Sequence, residues 1–448
     1  MVLPNGARQV RSNTILLTFV AVIIFLWSDG FDLQIFNLSD RFKLLSLAGI
    51  FLVVFAAVFS IFFSRRSGCF KNYYFRIILA MLFLIFVPTF VNLVIVNNLN
   101  IIEILRSGLQ YGGILIFVVL ISYPTHSSFI NKLNNLIVTI ATINVVGLVV
   151  LSTMPALSDI LITKVSGRFE WIRLSLSSGM TPIAQYSIFY MLVMYTNGLI
   201  PTVKRYFYLL LTCTYLWYFF TIGLGRRTTI ALLIVLGYHF ISHLSSRGKV
   251  RVFLAAVLLI LLSLAFPQST KVVDAIGSTY DSIIEDFKYG RGTVNVRLAG
   301  SEYYLDLFRE TNYIGIGLFS SKLPSSDPYF KGRVLNDYNP GDHGIVAVLY
   351  SFGFQAMILT VVLLIHIFRD LAFIRRRGPP EYQEVAAAMH LFLVFSVVGM
   401  LQVFWKPSLS IWTGIMFFMV WRMRKQIREP VKLVLNQQRL YGKTAPIT

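Results

Sequence analysis

The chain has 448 residues, of which 56% are hydrophobic and 13% are charged, and its mean hydropathy is +0.70. Soluble domains carry about 25% charged residues, so this composition excludes an ordinary soluble protein and predicts a membrane protein. The formal net charge is +20, and many of the basic residues lie near the ends of apolar segments. We therefore interpret the charge as a signal of membrane topology and predict no nucleic-acid partner.

Apolar runs rich in Leu, Ile, Val and Phe predict an all-α polytopic membrane protein with about twelve transmembrane helices. A helix of roughly 20 apolar residues crosses the hydrocarbon and leaves no backbone group unpaired. The first run has no cleavage signal after it, so we expect a retained span rather than a signal peptide. The predicted spans lie near residues 14–28, 44–64, 77–96, 105–122, 134–153, 181–199, 206–223, 228–244, 251–267, 345–368, 385–405 and 408–421. The predicted organisation is nine spans in 1–267, a large outer loop in 268–344, three spans in 345–421 and a basic tail in 422–448.

Lysines and arginines predict the orientation of these spans. With a cytoplasmic N-terminus, 23 of the 40 Lys and Arg residues but only 4 of the 20 Asp and Glu residues fall on the cytoplasmic side. This asymmetry is the one that the positive-inside rule describes, and it favours an even number of spans. We therefore expect both termini in the cytoplasm and the loop 268–344 outside.

The outer loop has two predicted amphipathic helices, in TKVVDAIGSTYDSIIEDFKYG and in VRLAGSEYYLDLFRE, because apolar residues recur there at helical spacing. The stretch that follows is rich in Gly, Pro, Asn, Asp and Tyr, a composition that suits a sugar-binding lip. Tyr303, Tyr304 and Tyr338 are the candidates for stacking on sugar rings. The alternative is that such tyrosines belong to an ordinary interfacial belt.

Arginines on the outer side are a more specific signal, because the positive-inside tendency disfavours them there. Arg226 and Arg227 lie in the tight turn GLGRRTTI, and the planar guanidinium matches phosphate geometry and stays charged. Pairing with acids such as Glu170, Glu302 or Asp306, or with lipid headgroups, is the alternative reading. The further outward candidates for phosphate binding are Arg168, Arg173, Arg297 and Arg333.

Asp342 and His343 directly precede a long apolar run on the outer side. A carboxylate beside an imidazole orients it and raises its basicity, so the two form a candidate general base. Asp342 also fits the N-cap position of the following helix. The sequence has no P-loop, no paired DxD-type acids and no metal-ligand spacing, so we predict a mechanism that uses no metal and no cofactor.

The order of these parts resembles the bacterial O-antigen polymerase and O-antigen ligase superfamily. The shared parts are an arginine turn opening a late span (GLGRRTTIALL), an arginine-led stretch running into Gly-x-Gly (VRLAGSEYYLDLFRETNYIGIG), and an acid eleven residues before a glycine (DHGIVAVLYSFG). The resemblance covers roughly residues 180 to 405. It implies a GT-C-like membrane fold and an inverting glycosyltransferase of the inner membrane, whose donor is a glycan on undecaprenyl pyrophosphate at the periplasmic leaflet.

When the family's motif positions are matched to this sequence, the resemblance implies that the pyrophosphate is bound by Arg297 and by one of Arg226 and Arg227. Ligases of this superfamily have a histidine eleven residues before the closing glycine; in this sequence that slot is Asp342, and His343 stands one place late. Because polymerases often have an acid there, the resemblance favours a polymerase of surface polysaccharide. Its expected partners are the lipid-linked oligosaccharide, membrane lipids, a chain-length regulator and a flippase.

Two alternatives stay open at the level of sequence. A ligase would transfer the glycan to lipid A-core oligosaccharide instead of lengthening it. A glycan transporter or flippase would move it without chemistry, although the sequence has few mid-span charges and no evident internal repeat, both of which transporters usually show.

Overall fold

The computed structural model describes residues 5–27, 39–63, 72–95, 108–123, 125, 128–152, 180–197, 200–219, 226–243, 293–310, 313–315, 317, 345–399, 404–406 and 409–441. Every regular element in these residues is helical, as the sequence predicts. In chain order the helices are α1 (Asn5–Trp27), α2 (Ser39–Phe63), α3 (Tyr73–Ile95), a 3-10 turn (Gly112–Leu115) leading into α4 (Ile116–Ser122), α5 (Phe129–Ser152), α6 (Met180–Thr196), α7 (Thr202–Trp217), α8 (Arg226–His243), α9 (Thr293–Glu310), α10 (Ile345–Arg377), α11 (Pro380–Val398) and α12 (Ser410–Tyr441).

Three of the described helices are long and apolar enough to cross a membrane. The qualifying stretches are Tyr73–Phe90 in α3, Phe129–Val150 in α5 and Val346–Arg377 in α10. Shorter apolar helical stretches occupy Asn13–Trp27, Ala48–Phe62 and Gly108–Ser122. A span count of twelve and a GT-C-like fold stay predictions.

Eleven of the twelve predicted spans coincide with helices in the described residues, and the ninth, 251–267, lies outside them. The predicted end of the eleventh span at residue 405 is wrong, because α11 ends at Val398 with Gly399 as its C-cap. The predicted tail 422–448 begins as helix, since α12 continues without a break to Tyr441. Of the two predicted amphipathic helices in the outer loop, the second is α9, and the first lies outside the described residues.

The core of the bundle is built around α6, in which 13 of 17 residues are buried. It packs against α5, α7 and α11, so apolar side chains are needed on all of its faces. Tyr186 on α6 donates a hydrogen bond from its hydroxyl to Asn134 Oδ1 on α5, and its ring lies 4.9 Å from that of Trp412 on α12. One buried tyrosine therefore joins three helices.

A buried carboxylate joins α3, α10 and α12 at one end of the bundle. Asp370 on α10 is 2% exposed and accepts hydrogen bonds from the Tyr74 hydroxyl at 2.9 Å and from Arg424 Nη1 at 2.7 Å. A buried charge needs this double satisfaction, because an unpaired one costs several kcal/mol. We call this end of the bundle the Asp370 end. We call the other end, where α10 begins, the Gly353 end.

Side chains in the first turn of α11 form hydrogen bonds with further helices at the Asp370 end. Asn131 on α5 donates to Glu381, and Asn197, just after α6, donates to Glu384. Tyr382 donates its hydroxyl proton to Gln426 on α12. The start of α5, the end of α6, the start of α11 and the middle of α12 therefore lie at the same end of the molecule.

Candidate active site

Several of the predicted site residues lie outside the described residues. They are Arg168, Arg173, Arg333, Tyr338, Asp342 and His343. Their predicted roles stay predictions. The described part of the site consists of the start of α8, the helix α9, the turn after it and the first half of α10.

Arg226 and Arg227 are the first two residues of α8. Near the other end of α8, His239 Nε2 lies 3.2 Å from the Thr196 hydroxyl on α6, whose neighbour Asn197 binds Glu384 at the Asp370 end. Thirteen residues of helix between positions 226 and 239 correspond to about 20 Å. The backbone at the paired arginines therefore lies toward the Gly353 end.

One face of the helix α9 packs against the bundle. Gly300, Tyr304 and Phe308 are buried at a spacing of four residues, and α9 packs against α10. By helix register, position 297 falls on this same face, between the directions of positions 300 and 308. The predicted phosphate-binding position is thus on the side of α9 that faces α10 and not on its outer side.

The two described tyrosines of the predicted sugar-binding lip differ in their surroundings. Tyr304 is 1% exposed, and its ring lies 4.9 Å from that of Tyr350 on α10. Burial raises the pKa of the Tyr304 hydroxyl, and the neighbouring Tyr303 raises it further, so this group stays protonated at neutral pH. Tyr304 is therefore a packing residue that holds α9 on α10, whereas Tyr303 is half-buried and keeps part of its ring accessible.

The turn Tyr313–Gly317 after α9 docks onto a break in α10. Gly353 in α10 has the non-helical angles φ 80° and ψ 178°, which interrupt the hydrogen bonding of the helix. The Gly317 N–H donates to the Ser351 carbonyl at 2.6 Å, and the Phe354 N–H donates to the Tyr313 carbonyl at 3.2 Å. The turn therefore satisfies backbone groups on both sides of the break, as a helix interruption inside a packed bundle requires.

Glycine is required where the turn and the break meet. A side chain at position 315 would place its Cβ 2.5 Å from the backbone nitrogen of Gly353, and one at position 353 would collide with the Ile314 carbonyl oxygen. Both glycines have positive φ, a conformation that costs other residues free energy. Two parts of the motif that carries the family resemblance, Gly-x-Gly and the closing glycine, are thus in direct contact.

A second helix irregularity lies on the other side of the same turn. Gly317 lies against the backbone of Pro88 and Thr89 in α3, and proline interrupts helical hydrogen bonding at this point. The Thr89 hydroxyl donates to the Ile85 carbonyl at 2.6 Å. The turn therefore sits between the interrupted regions of α3 and α10.

An apolar groove of about 560 Å³ begins at this junction and runs between α3 and α10 toward the middle of the bundle. Gln355 is its polar member; its side-chain N–H donates to the Ile314 carbonyl at 2.9 Å. From position 355 to position 362 the groove covers about 10 Å of helix. The remaining lining residues are Leu79, Ala80, Phe83, Leu84, Ile358, Leu359 and Val362.

Sequence reasoning missed Gln355, and it included Tyr313 in the tyrosine-rich stretch without choosing it as a site candidate. Tyr313 is 57% exposed and has φ +65°, an uncommon conformation for a residue with a side chain and one that clusters at functional sites. A glutamine two residues after a glycine inside an apolar run (YSFGFQ) was the available signal for Gln355. For Tyr313 the signal was its place in the Tyr-rich stretch that the sequence analysis read as a sugar-binding lip.

The described charged side chains of α9 include one exposed ion pair. Asp306 and Arg309 form an ion pair at 2.9 Å with both side chains 66% exposed, an arrangement that contributes little to stability. Among the described residues no three His, Cys, Asp or Glu side chains lie close enough together to hold a metal ion. This observation does not test the predicted metal-independent mechanism, which stays a prediction.

No protein-family model matches the sequence, and no curated protein matches it at a significant level. Any assignment of function therefore depends on the residues themselves and on their arrangement.

Proposed function

We propose that this protein is an inverting glycosyltransferase that polymerises lipid-pyrophosphate-linked oligosaccharide repeat units into a surface polysaccharide. One observation carries the proposal: the Gly315-x-Gly317 turn and Gly353 form a single docked unit. This unit fixes α9, with position 297 on its inner face, at the end of the bundle toward which the Arg226–Arg227 pair lies. Two parts of the motif that are at least 36 residues apart in the sequence, Gly-x-Gly and the closing glycine, are thus in contact.

The reaction assigns each candidate residue a task. The hydroxyl of the acceptor sugar attacks C1 of the donor sugar, the C1–oxygen bond to the pyrophosphate breaks, and the configuration at C1 inverts. Arg226, Arg227 and Arg297 stabilise the negative charge that develops on the lipid pyrophosphate, with Arg168, Arg173 and Arg333 as further support. Asp342 or His343 accepts the proton of the attacking hydroxyl. Tyr303 and Tyr338 bind the sugar, and the exposed Tyr313 joins them.

The groove between α3 and α10 suits the lipid part of such a substrate. It is apolar, it opens on the surface formed by two membrane-span-capable helices, and its polar end at Gln355 adjoins the docked turn. A polyprenyl chain lying in this groove would place its pyrophosphate next to the turn. This placement of the lipid chain is part of the proposal, and the apolar lining of the groove is what supports it.

The distribution of basic residues gives the proposed orientation. Arg375–Arg377, Arg424 and Arg428 lie at the Asp370 end. Under the positive-inside rule that end faces the cytoplasm, and the Gly353 end with the candidate site faces the periplasm. The product would then be formed on the outer leaflet of the inner membrane.

An extension assay tests the proposal directly. The purified full-length protein is given polyprenyl-pyrophosphate-linked repeat units without nucleotide or ion gradient, and the products are separated by size. We expect a ladder of longer glycans. Arg297→Ala, and at least one of Arg226→Ala and Arg227→Ala, should slow it by about 10²- to 10³-fold, the usual effect of removing one preorganised donor from a developing oxyanion.

The matched control is Arg309→Ala, which removes an arginine from the outer side of the same helix and should leave the rate unchanged. Equal rates for all variants would refute the assigned arginine roles. Transfer only to an added lipid A-core acceptor would show a ligase. Movement of an unchanged glycan across the membrane of a proteoliposome would show that the protein is a transporter.

A further inference from the structure

Two arginines from different helices lie over one phenylalanine ring at the Asp370 end. The guanidinium carbon of Arg377, at the end of α10, is 5.5 Å from the ring centroid of Phe373, and that of Arg428 on α12 is 5.3 Å from it. The two positive charges are therefore less than about 11 Å apart. Both arginine side chains are exposed.

The acids nearby in sequence are already engaged with other cations. Asp370 pairs with Arg424, and Glu429 lies 3.5 Å from the Lys425 ammonium. Within the described residues, neither Arg377 nor Arg428 has a carboxylate within 4.0 Å. A phenylalanine face attracts a cation only weakly, so the repulsion between the two guanidinium groups is left without an anionic partner.

The helices that carry the two arginines are fixed relative to each other by packing. A Cβ at position 378 would lie 3.2 Å from Ile427 Cδ1, so the end of α10 touches α12 directly. Tyr382 binds Gln426, and Arg424, one helical turn before Arg428, is fixed by Asp370. The backbone positions from which the two arginines extend are thus set by contacts between α10, α11 and α12.

The position of the pair along α10 matches the headgroup region of a bilayer. Large apolar side chains are exposed along one face of α10 from Phe354 to Ile365. Phe373 is 19 residues after Phe354, which corresponds to about 29 Å of helix, close to the ~30 Å thickness of the hydrocarbon. By register Phe373 lies on the flank of that exposed face, beside α12. A lipid packed against α10 would place its headgroup next to Arg377 and Arg428.

We propose that Arg377 and Arg428, held over Phe373, bind the phosphate headgroup of an anionic phospholipid in the leaflet at the Asp370 end. Guanidinium forks match the oxygens of a phosphodiester, and a phosphate held by both would relieve their mutual repulsion. Basic residues at the cytoplasmic surface attract anionic lipids in general. Here two of them, from different helices, lie over the same phenylalanine ring. The site does not depend on the proposed glycosyltransferase activity, because it lies at the opposite end of the bundle.

The test compares lipid retention by the full-length protein and two double variants. Protein purified in neutral detergent is titrated with phosphatidylglycerol or with phosphatidylcholine, and the retained lipids are counted by native mass spectrometry. The wild type should retain phosphatidylglycerol preferentially. Arg377→Gln with Arg428→Gln should reduce that retention by roughly tenfold. Arg375→Gln with Arg376→Gln, which removes the same charge from the same helix end, should leave it within about twofold of the wild type.

Equal losses in both double variants would overturn the proposal, since they would show that only net charge matters. Displacement of phosphatidylglycerol by excess inorganic phosphate would also overturn it, because the site would then take a free anion instead of a lipid. If a double variant is unstable, the single variants Arg428→Gln and Arg376→Gln repeat the comparison. Phe373→Leu, which keeps both charges, should give a smaller loss than Arg377→Gln with Arg428→Gln.

Discussion

At the scale of single residues, the backbone conformation of Gly353 determines how helix α9 is joined to the bundle. Its positive φ breaks α10 and frees the Ser351 carbonyl and the Phe354 N–H for the turn after α9. The bonds that hold the turn are backbone bonds, apart from the one from Gln355. The docking therefore depends more on the backbone conformation of one glycine than on the side chains of the turn.

Gly353→Ala should destabilise the protein by about 1–3 kcal/mol, because alanine disfavours this φ and its Cβ would collide with the Ile314 carbonyl. The measurement is the thermal unfolding midpoint in detergent, together with proteolysis of the outer loop, which should become faster. The control is Gly147→Ala in α5, where a Cβ meets nothing within 4 Å and the effect should be neutral or stabilising by at most about 1 kcal/mol. Identical behaviour of the two variants would contradict the role given to Gly353.

At the scale of helices, α3 and α10 act as a pair. Both are irregular near the Gly353 end, at Pro88 and at Gly353, and both are long and apolar enough to cross a membrane. The Tyr313–Gly317 turn fills the space between the two irregular points, and the groove begins directly beneath it. The pair thus combines a hydrogen-bonded junction and an open apolar groove.

Ala80→Phe would fill part of the groove and should raise KM for a substrate with a long polyprenyl chain by about three- to tenfold. The effect is modest because, in a lipid or detergent environment, close packing and not exclusion of water favours the bound chain. KM for an analogue with a very short chain should not change. Val87→Phe, at an exposed position of α3 outside the groove, is the control. An equal change of KM for both chain lengths would contradict a lipid-chain role for the groove.

At the scale of the whole molecule, the two ends of the bundle differ in their residues, and they lie about 25 Å apart along α10, the distance from Gly353 to Asp370. Basic side chains of α10 and α12 and the paired acids Asp370, Glu381 and Glu384 lie at one end. The glycine junction, the exposed Tyr313 and the groove lie toward the other. Such a division suits a protein whose two faces meet different solutions.

Reporter fusions test the orientation of the whole molecule. A fluorescent protein fused after Tyr441 should be fluorescent, because it would fold in the cytoplasm. Alkaline phosphatase inserted between Trp217 and Arg226 should be active, because it would reach the periplasm. The reverse result would place the candidate arginines on the wrong side of the membrane for the proposed reaction.

The sequence predicted the helices well because long, unbroken apolar runs pair their backbone groups in lipid within one helix, whereas a barrel strand would show alternating polar and apolar residues. It predicted the end of α11 wrongly, since a glycine such as Gly399 inside an apolar stretch is compatible with both a continuing and an ending helix. The break at Gly353 and the burial of Tyr304 were not predictable from local pattern. Both depend on a turn that is contributed by a distant part of the chain.

The hydrogen bond between Tyr74 and Asp370 joins residues 296 positions apart, and Arg424 completes it only near the end of the chain. At a synthesis rate of about 5–20 residues per second, α3 waits roughly 15–60 s in the membrane before its partner is made. During biogenesis the early helices must therefore stay inserted without their final neighbours. The contact that joins α3 to α10 and α12 forms only after all three helices have been made.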